Sequence, residues 1–176
     1  MTGGVLYAVA CAAPPVLHLR ALIAKAQDSG LDVCLICTPT AARWLANDIE
    51  ELAGTTGHPV RSSYKLPAEP DVLPPADAVL VAPLTFNTLN KWAAGISDTL
   101  ALGLINEAIG QRIPVVTLPY INDALAAHPA TAASVQTLRS AGVTVLDGGE
   151  RYTPDTYPWE LILGALGRAQ PPSGPS

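Results

Sequence analysis

Five short apolar runs recur along the chain with almost no polar residue inside them: VLYAVA (5–10), LDVCLIC (31–37), ADAVLVA (76–82), IPVVTL (113–118) and VTVL (143–146). A strand with one wet face alternates apolar and polar residues. Runs without alternation belong to strands buried on both faces, which requires a parallel sheet with helices above and below it. Between the first two runs, Leu19, Leu22, Ile23 and Ala26 fall at i, i+3, i+4 and i+7, one apolar stripe, and Gly30 stands where such a helix stops. TAASVQTLRSAGV ahead of TVLD repeats the scheme, a helix closing at a glycine before a strand. Alternating β and α segments with right-handed crossovers predict an α/β fold, a doubly wound parallel sheet in a three-layer α/β/α sandwich.

At 176 residues, 49% of them hydrophobic and 14% charged, the chain suits one domain, expected over residues 1–168. The closing AQPPSGPS (169–176) has nothing to bury and is expected to be a disordered tail. YKLPAEPDVLPP (64–75) carries four prolines and reads as a loop. A formal charge of −5 without any Lys/Arg run argues against nucleic acid and anionic membrane as partners. No basic segment with an apolar signal core opens the sequence, and no apolar stretch approaches the roughly 20 residues of a spanning helix, so a cytoplasmic location is expected. Cys34 and Cys37 spell C-x-x-C inside a strand, where a period of two sends them to opposite faces; they read as buried, inert thiols rather than a redox pair. His18, His58 and His128 are far apart and have no cysteine or carboxylate at ligand spacing, so no metal is expected.

Ligands of doubly wound sheets bind outside the carboxyl ends of the strands. After the first run stands ACAAPP rather than G-x-G-x-x-G, which disfavours a tightly held NAD. Ala12 and Ala13 are small enough for backbone N–H groups to face a single phosphate at the start of the first helix, entered through Pro14 and Pro15. Thr38 and Thr40 bring hydroxyls to the same edge after the second run. After the third stands LTFNTLN, with Thr85, Asn87, Thr88 and Asn90 close together. Each threonine alone reads as a helix N-cap. Three strand ends converging with small or hydroxyl residues point to a polar ligand, and Asn90, Ser97 and Asp98 exceed what capping needs.

PLTFNTLNKWAAGISDTL (83–100) resembles the P-A-S-A-N-T motif and its continuation in the homo-oligomeric flavin-containing cysteine decarboxylases. That family includes phosphopantothenoylcysteine decarboxylase and the peptidyl-cysteine decarboxylases of lantibiotic synthesis. PYINDALAAHP (119–129) resembles the family's P-x-M-N-x-x-M-W followed by N-P, and the similarity runs over about residues 4–168. The resemblance implies a Rossmann-like flavoprotein holding FMN on Pro83, Thr85, Phe86, Asn87 and Thr88, with its phosphate near Ala12, Ala13, Thr38 and Thr40. It further implies a homotrimer, or a multiple of one, with FMN at the subunit interface. Phe86 and Trp92 fit that interface, the ring, or ordinary core. Asn122 is the catalytic residue carried over, gripping the carboxylate of a small acid or a peptide C-terminus. In the family, oxidation of the cysteine thiol end to a thioaldehyde precedes loss of CO2.

The departures concern mechanism. The family's active-site histidine stands just ahead of the P-A-S-A-N strand, and KLPAEPDVLPPADAVLVAP has none. His58 belongs to an earlier turn, and His128 takes the place of the asparagine in N-P. Ile121 and Leu125 replace the family's methionines and Ala126 its tryptophan, leaving a smaller, more aliphatic wall. Gly148, Gly149 and Arg151 resemble the segment that covers substrate. Two readings follow: an FMN enzyme that oxidises or oxidatively decarboxylates a small acid or peptide C-terminus, or a non-catalytic FMN-binding subunit or regulator. Flavin prenyl transfer shares the architecture but calls for clustered basic residues, which the sequence lacks.

Overall fold

Strand β1 (Val5–Ala10) pairs in parallel with β2 (Asp32–Cys37) on one side and β3 (Ala78–Leu84) on the other. β4 (Val115–Pro119) and β5 (Thr144–Val145) extend the sheet in the order β2-β1-β3-β4-β5. The computed structural model describes residues 3–147 and 152–169. The expected covering segment with Arg151, and the tail from Gln170 onward, lie outside the described residues; Ala169 still bonds its N–H to the Ala165 carbonyl.

Both faces of the sheet are covered, which is why its strands do not alternate. On one face lie a 3₁₀ turn (Pro14–His18), α1 (Leu19–Asp28), α3 (Ile49–Thr56) and α8 (Trp159–Leu166); the stripe Leu19, Leu22, Ile23 and Ala26 is buried against Leu6, Val33 and Leu35. Each large aliphatic residue so placed contributes about 1.5–3 kcal/mol. The other face is packed by α4 (Phe86–Ala93), α5 (Leu100–Gly110) and α7 (Pro129–Ser140) through Leu89, Trp92, Ile105 and Leu138. Two short helices, α2 (Pro39–Trp44) and α6 (Asp123–Ala126), follow β2 and β4. The result is a three-layer, doubly wound α/β sandwich.

β3 runs past Ala82, through Pro83 to Leu84. A proline within a central strand is tolerated at a bulge, where no ladder N–H is needed, and the β3–β4 register shifts between Val81 and Leu84. The Ala82–Pro83 peptide is cis, and the Pro83 carbonyl accepts from the Cys11 N–H at 3.1 Å. This ties the ends of β1 and β3 together. Residues 64–75 form no helix or strand and are held down by Tyr7, whose hydroxyl donates to the Pro74 carbonyl at 2.8 Å, and by Tyr64, which donates to the Ser97 carbonyl at 3.1 Å.

Cys34 and Cys37 belong to the cores on opposite faces of the sheet. Burial pushes the Cys34 thiol up to about 11, with Asp32 adding to the rise, and Cys37 up to about 12, so both stay protonated at neutral pH. Among the described residues no three His, Cys, Asp or Glu side chains gather as metal ligands, and no helix is long and apolar enough to cross a membrane.

Candidate functional site

The strand order reverses between β1 and β3, and a doubly wound sheet binds its ligands at that reversal, beyond the carboxyl ends. There the chain encloses a cavity of about 410 Å³, within the roughly 300–1,000 Å³ typical of small-molecule sites. Another cleft, about 490 Å³, lies at the amino edge beside Leu31, and the Lys25–Glu160 ion pair is part of its wall. The carboxyl edge is the better site because three polar helix starts meet in it.

Those starts are Thr38, Thr85 and Thr99, the N-caps of α2, α4 and α5, and all three line the cavity. The Thr38 hydroxyl accepts from the Ala41 N–H at 3.4 Å, Thr85 from Thr88 at 3.5 Å and Thr99 from Leu102 at 3.2 Å. Capping occupies an acceptor lone pair and leaves each hydroxyl hydrogen as a donor. Thr85 spends its hydrogen on the Thr88 hydroxyl at 3.2 Å, which leaves the Thr88 hydrogen to serve another acceptor. Capping and ligand binding are therefore compatible for the same residue.

Ala12, Thr40 and Asn87 also border the cavity, and the Asn87 side chain is exposed and makes no hydrogen bond to the other described residues. Besides Pro39 and Leu102, two polar residues that the sequence did not single out line the cavity, Thr99 and Lys91. Thr99 was legible as a cap directly ahead of the apolar run LALGLI; Lys91, one turn beyond Thr88, carries the one charged side chain in the lining. Burial holds the Cys11 thiol up, partly offset by hydrogen bonding with Thr88 and Thr85.

Other expected residues stand elsewhere. Ala13 is buried, caps the 3₁₀ turn and lies outside the lining; Pro14 and Pro15 remove two N–H donors from that turn, so this helix start is poorer in donors than the threonine caps. Pro83 is buried in β3. Phe86 is half-buried and meets His128 edge-on, with ring centroids 5.5 Å apart. Trp92 is core, and its Nε1 has no hydrogen-bond partner among the described residues. Asn90 ties α4 to α7, donating to the Phe86 carbonyl at 2.8 Å and accepting from Ser134 at 2.7 Å. Ser97 and Asp98 likewise bond to Asn106 and Lys91.

Asn122 is exposed at the start of α6, where its Oδ1 accepts from the Leu125 N–H at 2.9 Å. Its Nδ2 donors face outward from that bond. His128 caps α7, its Nδ1 accepting from the Ala130 N–H at 3.1 Å. His58 bonds Asp32 at 2.8 Å, at the amino end of β2. With about 3.3 Å per strand residue, the length of β2 separates that histidine from Thr38 by roughly 15–20 Å. His18 pairs with Asp155 at 3.4 Å. None of these histidines lines the cavity.

Sheet order and edge cavity define a Rossmann-like α/β protein with a polar-lined cavity at its switch point. The sequence profile of the Flavoprotein family matches residues 6–168, and the chain belongs to that family. It is 32% identical to mouse phosphopantothenoylcysteine decarboxylase over 131 residues, 72% of this chain and 64% of that protein. It is 36% identical to a prokaryotic cysteine/cysteine sulfinic acid decarboxylase over 95 residues, 54% of this chain and 23% of that protein. The chain thus spans less than two thirds of these curated relatives. Among solved structures, the FMN-dependent cysteine decarboxylase TvaF of thioviridamide biosynthesis superposes with a TM-score of 0.78 at 21% identity, covering 94% of this chain and 97% of that one. The peptidyl-cysteine decarboxylase EpiD gives 0.76 at 20% identity, covering 94% and 99%. At such identities the superpositions establish the fold.

Proposed function

We propose that the chain is an FMN-binding flavoprotein of the cysteine-decarboxylase type, acting on a small acid or a peptide C-terminus. The observation that carries the reading is the convergence of Thr38, Thr85, Thr88 and Thr99 with Lys91 on one cavity at the β1/β3 switch point. Hydroxyl donors and one cation suit a phosphate ester, and Asn87 adds an amide for the polar part of a flavin. FMN, when bound, supplies the two-electron oxidation. Asn122 turns its Nδ2 donors to the substrate carboxylate while its Oδ1 stays on Leu125, so the cap fixes the amide's orientation. Ile121 and Leu125, both half-buried, form the aliphatic wall beside it. The flavin ring is shielded by a neighbouring subunit in a trimer or a multiple of one, because a pocket on one sheet edge leaves a tricyclic ring partly bare.

The test is direct: the purified protein is yellow, extraction yields FMN rather than FAD at about one per chain, and light scattering gives a multiple of three. A colourless protein indifferent to added FMN overturns the reading.

A second reading, a flavin-binding subunit or regulator without turnover, is favoured by the placement of the histidines. His58 is held by Asp32 at the far edge, His128 caps α7 through Nδ1, and neither lines the cavity.

A further inference from the structure

The Lys91 ammonium lies between two anionic demands. It borders the cavity, and it pairs with the Asp98 carboxylate at 2.5 Å, on the turn that leads into the Thr99 cap. Asp98 itself does not line the cavity. The pair is open to solvent, with the Lys91 side chain 32% and Asp98 49% exposed, so the bond between them is labile and easily exchanged for another. Every other lining side chain is neutral, and the chain as a whole carries −5. A dianionic group entering this cavity meets one counter-charge, and that charge is already engaged.

We propose that Lys91 is the residue that selects a phosphorylated flavin over an unphosphorylated one, and that Asp98 competes with the phosphate for it and so sets how tightly the cofactor is held. The inference rests on the FMN reading above. An ammonium has three donors and a flexible stem, so it can turn from carboxylate to phosphate without moving α4. Asp98 opposes binding in two ways: it holds the cation in a competing pair, and its own charge repels the incoming phosphate through a partly solvated gap. The hydroxyls of Thr38, Thr88 and Thr99 orient the ester but cannot distinguish a dianion from a neutral alcohol as a cation does.

The experiment measures dissociation constants of the full-length apoprotein for FMN and for riboflavin by quenching of flavin fluorescence, with wild type, Lys91→Met, Lys91→Arg and Asp98→Asn. Lys91→Met is expected to weaken FMN roughly 10- to 100-fold, the range for a hydrogen bond to a charged group, and to leave riboflavin within about twofold. Lys91→Arg restores most of the loss. Asp98→Asn tightens FMN about three- to tenfold and steepens its dependence on salt, whereas Lys91→Met flattens it. A pair that only braces α4 against the α5 turn makes Lys91→Met and Asp98→Asn change in the same direction and lowers both ligands alike; that result overturns the proposal. If Lys91→Met does not fold, Asp98→Asn decides alone, because tighter FMN supports the competition and weaker FMN refutes it. Failure of wild type to bind FMN removes the functional reading itself, whereas FMN binding with an unchanged FMN-to-riboflavin ratio in Lys91→Met removes this inference only.

Discussion

The Tyr64 hydroxyl rests directly over Gly103 of α5, so close that a methyl group on Gly103 would overlap it. In an open helix interior, Gly→Ala gains about 1 kcal/mol. Here the alanine must lift Tyr64, breaking its bond to the Ser97 carbonyl and loosening residues 64–75 from α5. Urea unfolding of Gly103→Ala, Tyr64→Ala and the double variant is expected to give a coupling energy of about 1–2 kcal/mol, with the alanine stabilising only when Tyr64 is absent. Limited proteolysis within 64–75 accelerates in Gly103→Ala. Equal gains in both backgrounds would show that Tyr64 does not seat there.

Asn87 and Thr85 separate binding from folding. Asn87 has no hydrogen bond to lose among the described residues, so Asn87→Ala should leave unfolding within about 0.5 kcal/mol and weaken FMN by roughly 3- to 10-fold, one neutral hydrogen bond. Thr85→Val removes the α4 cap as well, lowering stability by about 1 kcal/mol alongside the loss of flavin. If Asn87→Ala destabilises as much as Thr85→Val, the polar cluster is structural.

The thiols give the stability a pH dependence. Cys34 and Cys37 ionise in the folded protein only at about 11 and about 12, against 9.0 for the free group. A folded pKa raised by burial favours the unfolded state once that state ionises, so this stability is complete below 9.0 and is lost as the pH climbs through the folded values. Denaturation free energies should fall from near pH 9 upward, and the slope should flatten in Cys34→Ala/Cys37→Ala. A thiol reagent that labels either residue rapidly in the native state at neutral pH would contradict the burial argument.

The layers were legible because burial on both faces suppresses alternation, and the stripe from Leu19 to Ala26 is buried as its spacing requires. The opposed faces of Cys34 and Cys37 followed from the period of two. The continuation of β3 through Pro83 was not legible, since proline ordinarily ends a central strand and only the bulge admits it. At the site, threonines behind strands announce caps, but which caps face one another is decided by the sheet order. For that reason Thr99, distant in sequence from Thr38, joined the cavity unannounced, and Asn90 turned out to brace α7 instead. Histidines are the hardest to place, because His58 and His128 each serve a local bond that spacing alone does not reveal.

Turnover needs a proton acceptor. Flavin-linked oxidation of a thiol or carbon acid requires a proton to leave as electrons do, and a positioned general base contributes about 10²–10⁴-fold. With His58 at the far edge of β2 and His128 engaged in its cap, phosphopantothenoylcysteine and peptides ending in cysteine are expected to release CO2 weakly or not at all. Robust release from either would point to an unrecognised base, and His58→Ala should then leave it unchanged. Asn122→Asp isolates the substrate contact: the new carboxylate still accepts from Leu125, so α6 stays capped and FMN stays bound, but the amide donors are gone and a second negative charge opposes the substrate's. Bleaching of the flavin by any carboxylate substrate should be abolished in Asn122→Asp while its unfolding midpoint holds. Undiminished bleaching would remove Asn122 from the site.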